Sequence, residues 1–103
     1  MIPSTTRLSF IDQATDRRAA GAISEATHSL FVRHLRRGDL DVSDWHTCAD
    51  LANTGALTHH QARVAAAQLV AVGLLDRRVR TRRRRGDQQT VQYRLPAAEG
   101  TDQ

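Results

Sequence analysis

Residues 73–96, GLLDRRVRTRRRRGDQQTVQYRLP, constrain the fold most, because their side-chain character alternates along two arms that can only be satisfied by pairing. Leu75, Arg77, Val79 and Thr81 alternate with Asp76, Arg78, Arg80 and Arg82, and on the return Val91, Tyr93 and Leu95 alternate with Gln92 and Arg94. Gly86 and Asp87 supply a turn. Pairing Val79 with Val91 centres the reversal near Arg85 and sets Leu75 opposite Leu95 on the inward side. A slip of one residue would turn every side chain to the wrong face.

This hairpin also concentrates charge. It holds eight of the fifteen arginines against Asp76 and Asp87 alone, a net +6, while the other seven arginines face nine acids, a net −2. A charge excess confined to one surface calls for a polyanionic partner. Lysine is absent, so every strong base is a guanidinium, whose forked donors match phosphate oxygens and guanine edges.

A chain of 103 residues supports one domain with one modest core. The expected organisation is a flexible or partly extended N-terminal arm over residues 1–15, a single domain over 16–96, and a disordered tail over 97–103. No apolar run approaches the length that crosses a bilayer, and the N-terminus lacks the apolar stretch of a secretory signal. The lone Cys48 allows no intrachain disulfide and no cysteine metal cluster, which fits a reducing cytoplasm. It reads as a small buried hydrophobe.

From about Asp16 to Arg37 the pattern is helical and predicts a first helix over Ala19–Leu35. Ala19, Ala22/Ile23, Ala26, Leu30/Phe31 and His34/Leu35 recur at three- and four-residue spacings, and Gly38 ends the pattern. His28 and His34 read as surface or interface histidines. Residues 39–46 are too short and polar for an independent element, although one or two of them can pair at the edge of the hairpin, and Trp45 reads as a plug for the core.

Two helix starts follow. Thr47-Cys48-Ala49-Asp50 and Thr58-His59-His60-Gln61 both match the capping box, in which a hydroxyl and a side-chain oxygen three residues on satisfy amides left free at a helix N-terminus. The first helix carries Leu51 and Ala52 toward Gly55, and the second runs to about Val72, where Gly73 stops it. Two capped helices joined by a short connection, with Leu57 between them, make a helix-turn-helix. On the second of the pair, Ala62, Ala65/Ala66, Leu69 and Val72 share one face, leaving His59, His60, Arg63, Val64 and Ala67 away from it. Base edges must be met by side chains that the core does not claim.

The stretch ADLANTGALTHHQARVAAAQLVAVGLLDRR and the basic segment ending in QYRL resemble the winged-helix DNA-binding domains of bacterial transcription regulators, broadly the MarR-like and ArsR-like group. The resemblance covers residues 47–95, about half the chain. It is carried by Leu51-Ala52 on the second helix, Thr58 opening the third, and Leu69 before Gly73-Leu74. It implies an α+β fold, a three-helix helix-turn-helix core followed by a two-stranded β wing, and a homodimer that regulates transcription. Only residues 97–103 follow the wing, too few for the C-terminal dimerisation helix common in such regulators, so a homodimer would use the first helix and the N-terminal arm. The clustered metal ligands of the metal-sensing members have no counterpart here.

The expected function is therefore double-stranded DNA binding, as a sequence-specific transcription regulator, cytoplasmic and associated with the nucleoid. His59, His60, Gln61 and Arg63 are the candidate base readers, with Arg63 foremost because its fork fits guanine. Arg78, Arg80, Arg82, Arg83, Arg84 and Arg85, with Gln88, are the candidates for backbone or minor-groove contact. His59 and His60 are adjacent and diverge in direction, so one can contact DNA while the other packs or caps, and their spacing is wrong for a zinc pair. Tyr93 reads as wing-root core. No nucleophile–base–acid frame, glycine-rich phosphate loop or cofactor motif is present, which argues against an enzyme, a metal site or a cofactor. The competing expectation is a winged-helix module for a protein partner, or an accessory factor in DNA partition, replication or recombination.

Overall fold

The computed structural model describes residues 4–38, 40, 42, 44–55, 57–82 and 88–96, with the side chains of residues 54, 55, 82 and 88 outside that description. Among the described residues the elements run α1 (Ser4–Ala19), α2 (Glu25–Arg37), β1 (His46–Thr47), α3 (Cys48–Gly55), α4 (His59–Ala71), β2 (Asp76–Arg82) and β3 (Gln88–Arg94). The three strands form one antiparallel sheet in the order β1-β3-β2. This α+β arrangement, a helical core with a small sheet, is compatible with a helix-turn-helix followed by a wing.

The hairpin register pairs Val79 with Val91, as the alternation predicts, and continues through Arg77↔Tyr93 and Arg80↔Thr90. Leu75 and Leu95 at its root are buried. The edge pairing expected of the segment before α3 is also present, with His46 opposite Tyr93 and Thr47 opposite Gln92.

Local chemistry explains the helix boundaries. Thr47 Oγ1 accepts from the Asp50 amide at 3.2 Å, and Asp50 Oδ2 accepts from the Thr47 amide at 3.0 Å. Thr58 Oγ1 accepts from the Gln61 amide at 3.1 Å, and Gln61 Oε1 accepts from the Thr58 amide at 3.0 Å. Both predicted capping boxes are formed. At the other end of α4, Gly73 takes φ +80° while the Leu74 amide donates to the Leu69 carbonyl and the Gly73 amide to the Val70 carbonyl. That is a Schellman termination, and Leu74 and Leu69 are both buried, as its accompanying apolar contact requires.

Ala62, Ala65, Ala66 and Leu69 form the buried face of α4, and their small side chains let it approach α2 and α3 closely. The fully buried volume is carried by Phe31, Leu35, Leu69, Leu74 and Leu95. A further tie is polar: the Gln68 side chain on α4 accepts from the Ser24 amide at 2.9 Å, ahead of α2. Leu57 is half-buried against this core.

Three expectations are corrected. The N-terminal arm is a helix from Ser4, held to α2 by an edge-to-face contact of Phe10 on Phe31 with centroids 6.4 Å apart. The helix expected over Ala19–Leu35 starts later, because α1 ends in its own Schellman turn at Gly21, φ +79°, and α2 begins after Ser24, whose hydroxyl caps the Thr27 amide. His34 is not a surface residue but wholly buried in the core. His28 is half-buried between α1 and α2, where its Nε2 lies 3.1 Å from Thr15 Oγ1. The tail over 97–103 lies outside the described residues.

Candidate nucleic-acid interface

α4 presents its outward face beside the wing. His59, His60, Gln61 and Arg63 are all solvent-exposed, as are Val64 and Ala67. The cap that starts α4 therefore also fixes the direction of these side chains. Gln61 has a double assignment, since its Oε1 is already engaged by the Thr58 amide and its Nε2 is the group left to turn outward. Arg63 Nη2 lies 3.5 Å from His59 Nδ1 one turn earlier on the helix, the spacing at which side chains on one helix face meet.

Between α4 and the wing lies an open cleft of about 690 Å³. His59, Arg63 and Ala67 form its helical wall, Arg77, Gln89 and Thr90 its wing wall, and Cys48, Val91 and Tyr93 its floor. Cys48 is buried, as expected, and its thiol donates to the Tyr93 hydroxyl at 3.8 Å. Tyr93 is buried at the wing root, also as expected. Burial, followed by the Cys48 contact, pushes the Tyr93 hydroxyl above its ordinary range, and the nearby Arg77 guanidinium opposes that shift. The Tyr93 hydroxyl is therefore neutral at neutral pH, and the guanidinium charge is at the walls.

On the other face of the sheet stands Trp45. Its ring is half-buried, and the guanidinium carbons of Arg78 and Arg94 each lie over it, 4.3 Å from the centroid. Arg78 Nε also donates to Gln92 Oε1 at 2.8 Å. Trp45 is thus a platform for two cations and not the core plug expected of it. Of the wing residues singled out in the sequence, Arg78 is engaged within the sheet and Arg80 is exposed opposite Thr90. Arg82 and Gln88 close the described part of the hairpin as a register pair. Arg83, Arg84 and Arg85 lie outside the described residues.

Arg77 was missed by sequence reasoning. Alternation puts it on the same side as Leu75 and Val79, which reads as inward, yet that side faces the core only at the hairpin root and opens onto the cleft farther out. Thr47 was assigned only to a cap, although it also lines the cleft. Among the described residues, no three histidine, cysteine, aspartate or glutamate side chains gather where they could hold a metal ion, and no helix is long and apolar enough to cross a membrane. A chemistry of hydrogen bonding and charge is what the surface offers. The chain matches no protein-family model, no curated protein and no solved structure.

Proposed function

We propose that this protein binds double-stranded DNA without covalent chemistry and acts as a sequence-specific transcription regulator of the winged-helix kind. The observation that carries the reading is the juxtaposition of an exposed, capped α4 face bearing His59, His60, Gln61 and Arg63 with a hairpin whose segment holds eight arginines. α4 enters the major groove, where Arg63 pairs with guanine acceptors, and the wing lies on phosphates or in the adjoining minor groove. A cytoplasmic, nucleoid-associated location follows from that role. In a homodimer, α1 and α2 supply the contact, and the two α4 helices meet half-sites about 34–36 Å apart.

The test is enrichment of a random duplex library on the purified protein, followed by anisotropy titrations of enriched and scrambled duplexes at several salt concentrations. A reproducible motif bound far more tightly than its scramble supports specific regulation, and an inverted repeat supports the dimer. Sequence-blind, salt-sensitive binding would reassign the protein to an accessory DNA role. Negligible binding by folded protein would overturn DNA binding and leave the protein-partner module in its place.

A further inference from the structure

Counting charge treats the wing arginines as one set, whereas the sheet separates them. Arg77 and Arg78 are neighbours in β2, so their side chains leave opposite faces. Arg78 lies over Trp45 and donates to Gln92. Arg77 is exposed, pairs in register with Tyr93, and lines the cleft opposite His59 and Arg63 of α4.

The geometry points to this cleft as the seat of one sugar-phosphate backbone of duplex DNA, with Arg77 from the wing and Arg63 and His59 from α4 holding a phosphodiester from two sides. The assignment rests on the DNA-binding reading above. If α4 occupies the major groove and the wing reaches toward the adjoining minor groove, the strand that divides those grooves must pass between them. The cleft is where α4 and the wing leave such a passage. Among the described residues no carboxylate lines it, and Gln89 adds an uncharged donor beside the two guanidiniums. Arg78, by contrast, is a positioning residue: its Nε and its guanidinium face are committed to Gln92 and Trp45, which hold the sheet that carries Arg77.

Arg63 thereby gains a second task. Its guanidinium has five donors, so one edge can meet a phosphate while another approaches a base, and the His59 contact sets its direction.

The experiment uses the full chain, its R77Q, R77K, R78Q, R63Q and R63Q/R77Q variants, and a labelled mixed-sequence duplex of about 20 base pairs, titrated by anisotropy from ~50 to ~200 mM salt. R77Q is expected to weaken binding and to reduce the slope of log affinity against log salt by about one, while R77K keeps the wild-type slope and R78Q, which loses the brace on Trp45 and Gln92, lowers the melting temperature. R63Q and R77Q together are expected to lose less than the sum of their separate losses, because both grip one phosphodiester. Circular dichroism verifies folding of each variant, and the R63Q slope with the R77K comparison tests the cleft even where R77Q unfolds. A wild-type slope in folded R77Q, or strictly additive losses in the double variant, would overturn the cleft assignment while leaving DNA binding intact. Wild-type protein that binds no duplex would overturn both.

Discussion

The guanidinium carbon of Arg78 lies 4.3 Å from the centroid of the Trp45 ring, which fastens the segment before β1 to the middle of the hairpin. Arg94 lies at the same distance, so the indole holds two like charges near one another. Desolvation, then the nearby Arg80 and Arg94, lowers the Arg78 pKa from its ordinary value, but a guanidinium starts high enough to remain charged at neutral pH. The quadrupole of the ring offsets part of that repulsion. The wing is thereby braced from the side opposite the cleft.

Replacing Trp45 with alanine removes both the platform and the apolar area beneath the guanidiniums. Trp45→Ala is expected to lower unfolding stability by about 2 kcal/mol, and Trp45→Phe by less, since phenyl keeps a weaker platform. Urea unfolding followed by far-ultraviolet circular dichroism measures this directly. Equal stability of the alanine variant and the wild type would show that the ring contributes nothing to the brace.

Gln61 separates capping from recognition. A glutamate also completes a capping box, and a carboxylate at a helix N-terminus is favoured by the helix dipole, so Gln61→Glu is expected to leave the melting temperature unchanged or raise it slightly. The same charge beside Arg63 repels phosphate and lowers duplex affinity. Thr58→Ala does the reverse, costing about 1 kcal/mol of stability through the lost cap. Thermal melts and anisotropy on the same samples check both. Undiminished duplex binding by Gln61→Glu would place that side chain away from DNA.

What was legible in the sequence is what short-range chemistry decides. The capping boxes at Thr47 and Thr58, the glycine stops at Gly38 and Gly73, the alanine face of α4 and the Val79–Val91 register each follow from residues a few positions apart or from strict alternation. α1 was not legible, because it buries little beyond Phe10 and Ala14 and its docking depends on Phe31, far along the chain. The break before α2 was hidden by alanines that keep a helical rhythm through Gly21, although Gly21 and Ser24 together were the available stop and start signals. For the candidate site, the exposed α4 residues could be read from one helix. The difference between Arg77 and Arg78 could not, since it depends on which face of the sheet looks toward α4 and which toward Trp45.

His28 gives the fold a pH dependence of known sign. Thr15 Oγ1 donates to the Ile11 carbonyl, so its lone pair accepts from His28 Nε2–H in the neutral ring. Burial first, and Arg18 second, lower the His28 pKa below 6.5, with Glu25 opposing them. The unfolded chain then binds a proton more readily than the folded one, so this contribution is present above the unfolded pKa and is lost as pH falls through the folded value. Melting temperature is expected to drop on acidification below about 6.5, and the drop is expected to be smaller in His28→Gln. Identical pH profiles for the two proteins would assign the effect to other groups.

α1 docks through few side chains, chiefly Phe10, Ala14 and Thr15, which makes its docking separable from the rest of the fold. α1 packs mainly on α2, whereas α3 and α4 are tied to each other and to the sheet or α2. Phe10→Ala removes the edge-to-face partner of Phe31 and is expected to weaken α1 docking by about 3 kcal/mol. Hydrogen exchange resolves the consequence by segment, because local opening exposes only the amides of the element that leaves. Amides of α1 are expected to lose protection, while those around Leu69 in α4 and Tyr93 in β3 keep most of theirs. A uniform loss across all helices would mean that α1 belongs to one cooperative unit with the helix-turn-helix, and duplex affinity would then fall together with α1 docking. Retained affinity in a Phe10→Ala protein with an exchanging α1 would instead show that α3, α4 and the wing hold their binding geometry without it.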